Sequence, residues 1–252
     1  MAWSDPLDLY CERLTAGLWD EPLNAISNIA FAAAAVALFR LHARLRERGD
    51  RLSVDIRALP WLVFGVALCS LAFHTLAIRW VGWLDSLSIL LYCAVSVYSF
   101  LRHATGVGAS AAAGAGVAFA LASFGASRVA PPGTLNGSLA YLPNLLTLLA
   151  VTAFLGVRGA KAFRGFALAS FLFAIALMLR TMDLAWCPML PIGTHFLWHL
   201  LAGLLLWVVS VELTLRRFGS DLRKPAYGDP KDWSRGFDRR LQACRDRLTT
   251  LR

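Results

Sequence analysis

The sequence predicts an all-α integral membrane protein with seven transmembrane helices. Two observations carry this. Of its 252 residues, 58% are hydrophobic and only 16% are charged, where a soluble domain of this size carries about a quarter charged residues. The apolar residues also fall in long unbroken runs rather than alternating. Lipid admits only helices or a closed barrel, because every backbone polar group must be satisfied internally, so continuous runs read as helices.

Taken in order, the chain opens with a polar head, residues 1–22, which holds five acids: Asp5, Asp8, Glu12, Asp20 and Glu21. No secretory signal is expected there, since the first residues are polar and acidic. The first apolar run covers roughly 23–41, followed by a basic stretch with Arg40, Arg44, Arg46, Arg48, Arg51 and Arg57. The second run, roughly 59–78, is long enough to cross about 30 Å of hydrocarbon at 1.5 Å per residue. A short turn, Arg79-Trp80-Val81-Gly82, leads to a third run of roughly 83–101. The fourth, roughly 108–126, is rich in Ala and Gly, which let membrane helices approach closely. A loop with Pro131-Pro132-Gly133 precedes the fifth run, roughly 138–157, and Arg158, Lys161 and Arg164 separate it from the sixth, roughly 165–180. The loop Thr181–Gly193 holds Cys187, and the seventh run is roughly 194–215.

The chain thus divides into an acidic head (1–22), a seven-helix membrane domain (23–215) and a basic tail (216–252). Lys and Arg concentrate in the loops after spans one, three and five and in the tail, whereas the loops after spans two, four and six hold only Arg79, Arg128 and Arg180. The positive-inside rule then puts the N-terminus outside and the C-terminus in the cytoplasm. Topology accounts for the net charge of +9 better than nucleic-acid binding does. Short loops and arginine-rich helix ends suit a bacterial inner-membrane protein. The tail, with Trp233 and Phe237, either lies on anionic lipid or stays disordered.

Histidines carry the functional signal. His195 and His199, one helical turn apart in the last span, point the same way. His74 lies near the end of span two, with Ser70 one turn before it, and Asp85 lies at the start of span three. All five fall at similar depth near the outer face, while His42 and His103 fall among arginines at the opposite, wet ends. A lone membrane histidine is more often a hydrogen-bonding residue, Ser70 alone can bond back to the preceding turn, and Asp85 alone can be a helix N-terminal charge. Together they describe a zinc centre: three imidazoles with an open fourth position, Asp85 to hold the water and act as base, and Ser70 to donate to a developing oxyanion. The five cysteines, Cys11, Cys69, Cys93, Cys187 and Cys244, contain no CxxC pair, which argues against a thiolate zinc site. Arg180-x-x-Asp183 is either an ion pair or two separate solvated charges.

The pattern Ser70-x-x-x-His74, then Asp85, then His195-x-x-x-His199 in the last span resembles that of the alkaline ceramidases. These belong to a superfamily of seven-helix membrane hydrolases that includes the adiponectin receptors. Cys11-Glu12, then Glu21-x-x-Asn24-x-x-Ser27-Asn28, also resembles the family's segment leading into span one. The resemblance implies zinc on His74, His195 and His199, with Asp85 and Ser70 as catalytic residues. It implies hydrolysis of the N-acyl bond of a ceramide-like membrane lipid to a fatty acid and a sphingoid base. It further implies a disulfide between Cys11 and Cys187, and calcium held by Glu12, Glu21 and Asp8. The family's asparagine ligand is absent, with Leu14 near its place. Otherwise these acids are a solvated face, with Glu21 at the positive end of span one.

Two further readings stand beside the zinc-dependent amidase. One is a related hydrolase of another acyl lipid. The other is a non-catalytic seven-helix lipid receptor with structural zinc. Ser70 and Asp85 beside the histidines favour catalysis, because a structural zinc is usually closed by four protein ligands.

Overall fold

A computed structural model describes residues 2–15, 17–129 and 133–216. The readings made for the tail beyond Arg216, and for Pro131 and Pro132, lie outside the described residues. The elements are α1 (Pro22–Ser27), α2 (Ile29–Glu47), α3 (Val54–Leu76), α4 (Arg79–Phe100), α5 (Ala109–Val129), α6 (Leu142–Val157), α7 (Phe163–Trp186) and α8 (His195–Leu215). A π-helical turn, Leu101–Thr105, continues α4, and a 3₁₀ segment, Thr134–Tyr141, precedes α6. They form seven segments long and apolar enough to cross a membrane, with α1 and α2 together making the first.

Several segments run further than their apolar stretches. The first continues past Leu41 to Glu47, and α7 continues through Thr181 to Trp186. Residues 79–82, expected as a turn, are the first turn of α4. Hydropathy falls where charge begins, but the backbone ladder continues until something ends it. At α3 that is Ala77, in the left-handed conformation at φ 43°.

The last helix organises the bundle. α8 is the most buried of the seven spans and packs against α2, α3 and α7. Small residues set the tight crossings, because they let backbones approach. A Cβ on Gly203 of α8 would stand 2.8 Å from the Ala30 side chain of α2, and one on Gly116 of α5 would stand 3.0 Å from the Ala94 carbonyl oxygen of α4.

The head is tied down rather than hanging free. Leu7 N–H donates to the Ala77 carbonyl at 2.7 Å, Arg79 N–H to Asp5 at 3.1 Å and Trp80 N–H to Trp3 at 3.1 Å. This pairing uses polar groups of the tight turn between α3 and α4. It also brings Tyr10 into a small apolar cluster with Phe73 and Val81.

Candidate metal centre

The first turn of α8 begins at a crowded corner. The carboxylate of Asp183, on α7, accepts from the N–H groups of Thr194 (2.6 Å), His195 (2.8 Å) and Cys11 (2.9 Å). It satisfies donors that a helix start leaves without partners and ties the head to the same point. Arg180 and Asp183 are thus neither an ion pair nor two solvated charges: Arg180 goes elsewhere, and Asp183 is only 1% exposed. Gly193 makes the turn into α8 at φ +66°, and a Cβ there would lie 2.8 Å from that of Cys11. The sulfurs of Cys11 and Cys187 are 2.08 Å apart.

His74, His195 and His199 are all buried, with ligand nitrogens within 4.8 Å of one another. Two of the rings are held from behind. Nδ1 of His74 lies 2.6 Å from Glu21 Oε2, and Nδ1 of His199 lies 2.7 Å from Ser27 Oγ. Each of these rings therefore keeps its Nε2 for another partner. Nδ1 of His195 is buried with no hydrogen-bond partner. Three converging imidazoles, two anchored through the far nitrogen and one with a buried nitrogen unpartnered, fit a borderline transition metal such as zinc. His42 and His103 take no part, as expected, but His42 is not wet: it is 6% exposed and bonded to Thr214 at 3.1 Å. His103 pairs with Asp55 at 2.8 Å.

Ser70, 3% exposed, sits one turn before His74 and hydrogen-bonds Asp85. The Oδ1 atom of Asp85 is buried and has no hydrogen-bond partner. Asp85 lines a cavity of about 540 Å³ together with Tyr10, Phe73, Tyr141, Asn144 and Arg180. A second, almost wholly apolar cavity of about 120 Å³ runs deeper, past Phe31, Tyr92, Phe173 and Trp198. The two share Ile89, Tyr141 and Asn144 as walls.

Two residues lie at this site that the sequence does not place there. Tyr10 stacks on His195 with ring centroids 3.7 Å apart, and burial pushes its phenol further above the ordinary value, so it stays a neutral group. Arg180 donates to the Asn136 carbonyl and lies 5.2 Å over Tyr141 and 5.9 Å over Trp198. Such cation–π contacts contribute about 0.5–2 kcal/mol each and place a fixed positive charge in the wall that Asp85 shares.

The acidic head is used differently from the calcium site that the resemblance implies. Glu12 caps α1, accepting from Leu23 N–H at 2.6 Å and Asn24 N–H at 2.9 Å. Glu21, placed at that helix end by the sequence, makes no cap bond and turns inward to His74 and Arg13. Burial alone would raise its carboxyl, but bonds from His74, Arg13 and Asn24 outweigh this and hold it below the usual value. Asp8 is exposed. Among the described residues, the His74, His195 and His199 group is the one set of three or more His, Cys, Asp or Glu placed to share a metal ion. Asp8, Glu12 and Glu21 do not converge as a calcium ligand set.

Seven membrane-length segments around three buried imidazoles, two of them anchored, define a multi-pass membrane protein with a histidine cluster that could hold a metal ion. The family model described as Ceramidase matches residues 10–237. The chain belongs to the ceramidase family and is an amidohydrolase. A comparison with curated proteins gives no match.

Proposed function

We propose that the chain is a zinc-dependent intramembrane amidase that cleaves the N-acyl bond of ceramide-like lipids to a fatty acid and a sphingoid base. The observation that carries this is the buried triad of imidazoles beside a cavity walled by Asp85. His74, His195 and His199 would hold the metal. Zinc there would activate a water and polarise the amide carbonyl. Asp85 takes the proton of the attacking water and delivers it to the amine as the C–N bond breaks. Ser70 donates to the carbonyl oxygen as negative charge develops on it. Tyr10 covers one face of His195 and limits water at the centre. The deeper apolar cavity suits a hydrocarbon chain, and the larger one, with Asp85, Asn144 and Arg180, suits the polar part of the lipid.

The charge distribution between loops supports a head outside the membrane and a cytoplasmic C-terminus, with the site toward the outer face of a bacterial inner membrane. The joined Cys11 and Cys187 sulfurs suit that side, where disulfides persist. Non-reducing peptide mapping that finds both thiols free would remove this support.

The test combines zinc quantitation of the purified protein with hydrolysis of a lipid panel read by mass spectrometry. Wild type should carry zinc and release fatty acid from ceramide, and His199→Ala should lose both. Protein without zinc sinks the proposal. Turnover of another acyl lipid but not of ceramide would keep the centre and change the substrate.

A further inference from the structure

Arg13 is a cation buried in the head. It is 7% exposed, and among the described residues its guanidinium bonds to oxygens. Nε lies 2.5 Å from Glu21 Oε1. One terminal nitrogen donates to the carbonyls of Thr15 (3.2 Å) and Gly17 (3.3 Å), and the other to the carbonyl of His74 (3.4 Å). One carboxylate oxygen and three backbone carbonyls are the hard donor set that a divalent cation such as calcium takes. Here a guanidinium fills the place and supplies the charge that a buried carboxylate needs. The other oxygen of Glu21 is shared by Asn24 Nδ2 (3.1 Å) and His74 Nδ1 (2.6 Å). Arg13 therefore reaches His74 twice, at its carbonyl and, through Glu21, at its ring.

We propose that Arg13 is a built-in cation that takes the place of a divalent ion in the head, and that it acts through Glu21 as a positioning residue for His74. The argument has two parts. A carboxylate behind a ligating imidazole fixes the tautomer and raises ligand basicity, and losing such a partner typically weakens metal binding tenfold to a hundredfold. Glu21 fills that role only while its carboxylate is fixed in place, and Arg13 fixes it without an added ion. The head is thus ordered independently of calcium, in contrast to the calcium site that the family resemblance implies. The inference rests on the reading of His74 as a zinc ligand.

The experiment uses full-length protein in detergent, stripped of metal and titrated with zinc chloride against a chromophoric chelator, in calcium-free buffer and in millimolar calcium chloride. Wild type should give the same zinc affinity and the same thermal midpoint in both buffers. Arg13→Gln, which removes the charge at similar size, should weaken zinc about tenfold or more. Arg13→Lys, which keeps the charge, should stay within a few-fold of wild type, a recovery that a purely structural role for the fork would not give. Calcium that raises the wild-type midpoint or tightens zinc overturns the proposal, and this arm needs no variant to fold. Wild-type zinc affinity in Arg13→Gln also overturns it, while leaving the metal centre standing. Wild type that takes up no zinc overturns both the centre and this inference.

Discussion

The hydroxyl of Ser27 lies 2.7 Å from Nδ1 of His199, across 172 residues of chain. The same hydroxyl donates to the Asn24 carbonyl at 2.9 Å, so toward the ring it serves as acceptor, and the proton on His199 stays at Nδ1. That leaves Nε2 as the free nitrogen. Glu21 and Ser27, at the two ends of α1, thus hold two of the three candidate metal ligands from behind.

Replacing Ser27 by Ala should therefore loosen the centre without unfolding it. The Asn24 carbonyl lies close to His199, so some anchoring survives, and zinc affinity should fall by about tenfold, the low end for loss of such a partner. Chelator competition measures this, and wild-type affinity would show that the hydroxyl does not tune the ligand.

Asp183→Ala should act on the fold. It strips the acceptor from three buried N–H groups, each worth about 1.5–3 kcal/mol when bonded to a charged group and not fully additive. A loss of roughly 3 kcal/mol lowers Tm by about 6–12 °C in a chain of this size. Thermal unfolding of metal-free protein in detergent checks it, and a midpoint within a degree of wild type would contradict the role given to this carboxylate.

Asp85→Asn and Ser70→Ala separate chemistry from metal binding. Both should keep zinc, because neither offers a ligand atom to the histidine group. Asp85→Asn should lower kcat by about 10²–10⁴, the usual weight of a general acid–base, and Ser70→Ala by about 10²–10³, the weight of one oxyanion donor. Full turnover in Asp85→Asn with zinc bound would assign the proton transfers to another group.

Acid should loosen the loop around Asp20. Its carboxylate accepts from Thr15 N–H, from Leu14 N–H at 2.5 Å and from the Thr15 hydroxyl at 3.0 Å. The Thr15 backbone bond leads in holding its carboxyl below the ordinary 3.8. A folded value below the unfolded one means the stabilisation is complete above 3.8 and disappears as pH falls through the lower folded value. Hydrogen exchange at the Leu14 and Thr15 amides should differ between wild type and Asp20→Asn near neutral pH and converge in stronger acid. A difference that persists unchanged in acid would contradict this.

The helices and the histidines were legible in the sequence because each declares itself locally. A long apolar run has no soluble alternative, and an imidazole inside one is costly unless it has a partner. The face of α1 was half legible: Glu21, Asn24 and Ser27 recur at helical spacing, and only the duty of Glu21 was read differently. The rest was hidden because a polar residue near a terminus looks the same whether it meets water or a partner far along the chain. Arg13 reaches back to His74, Tyr10 stacks on His195, and Asp183 meets Cys11. No local pattern separates these from a solvated charge or a surface aromatic.

The Asp183 corner also bears on where the head can sit. Cys11 stands 172 residues ahead of Asp183, yet its N–H bonds to that side chain on the sixth span, and its neighbour Tyr10 rests on the seventh. The seat of the head therefore exists only where the sixth and seventh spans pack together. A chain lacking either span would leave Tyr10 without its place against His195.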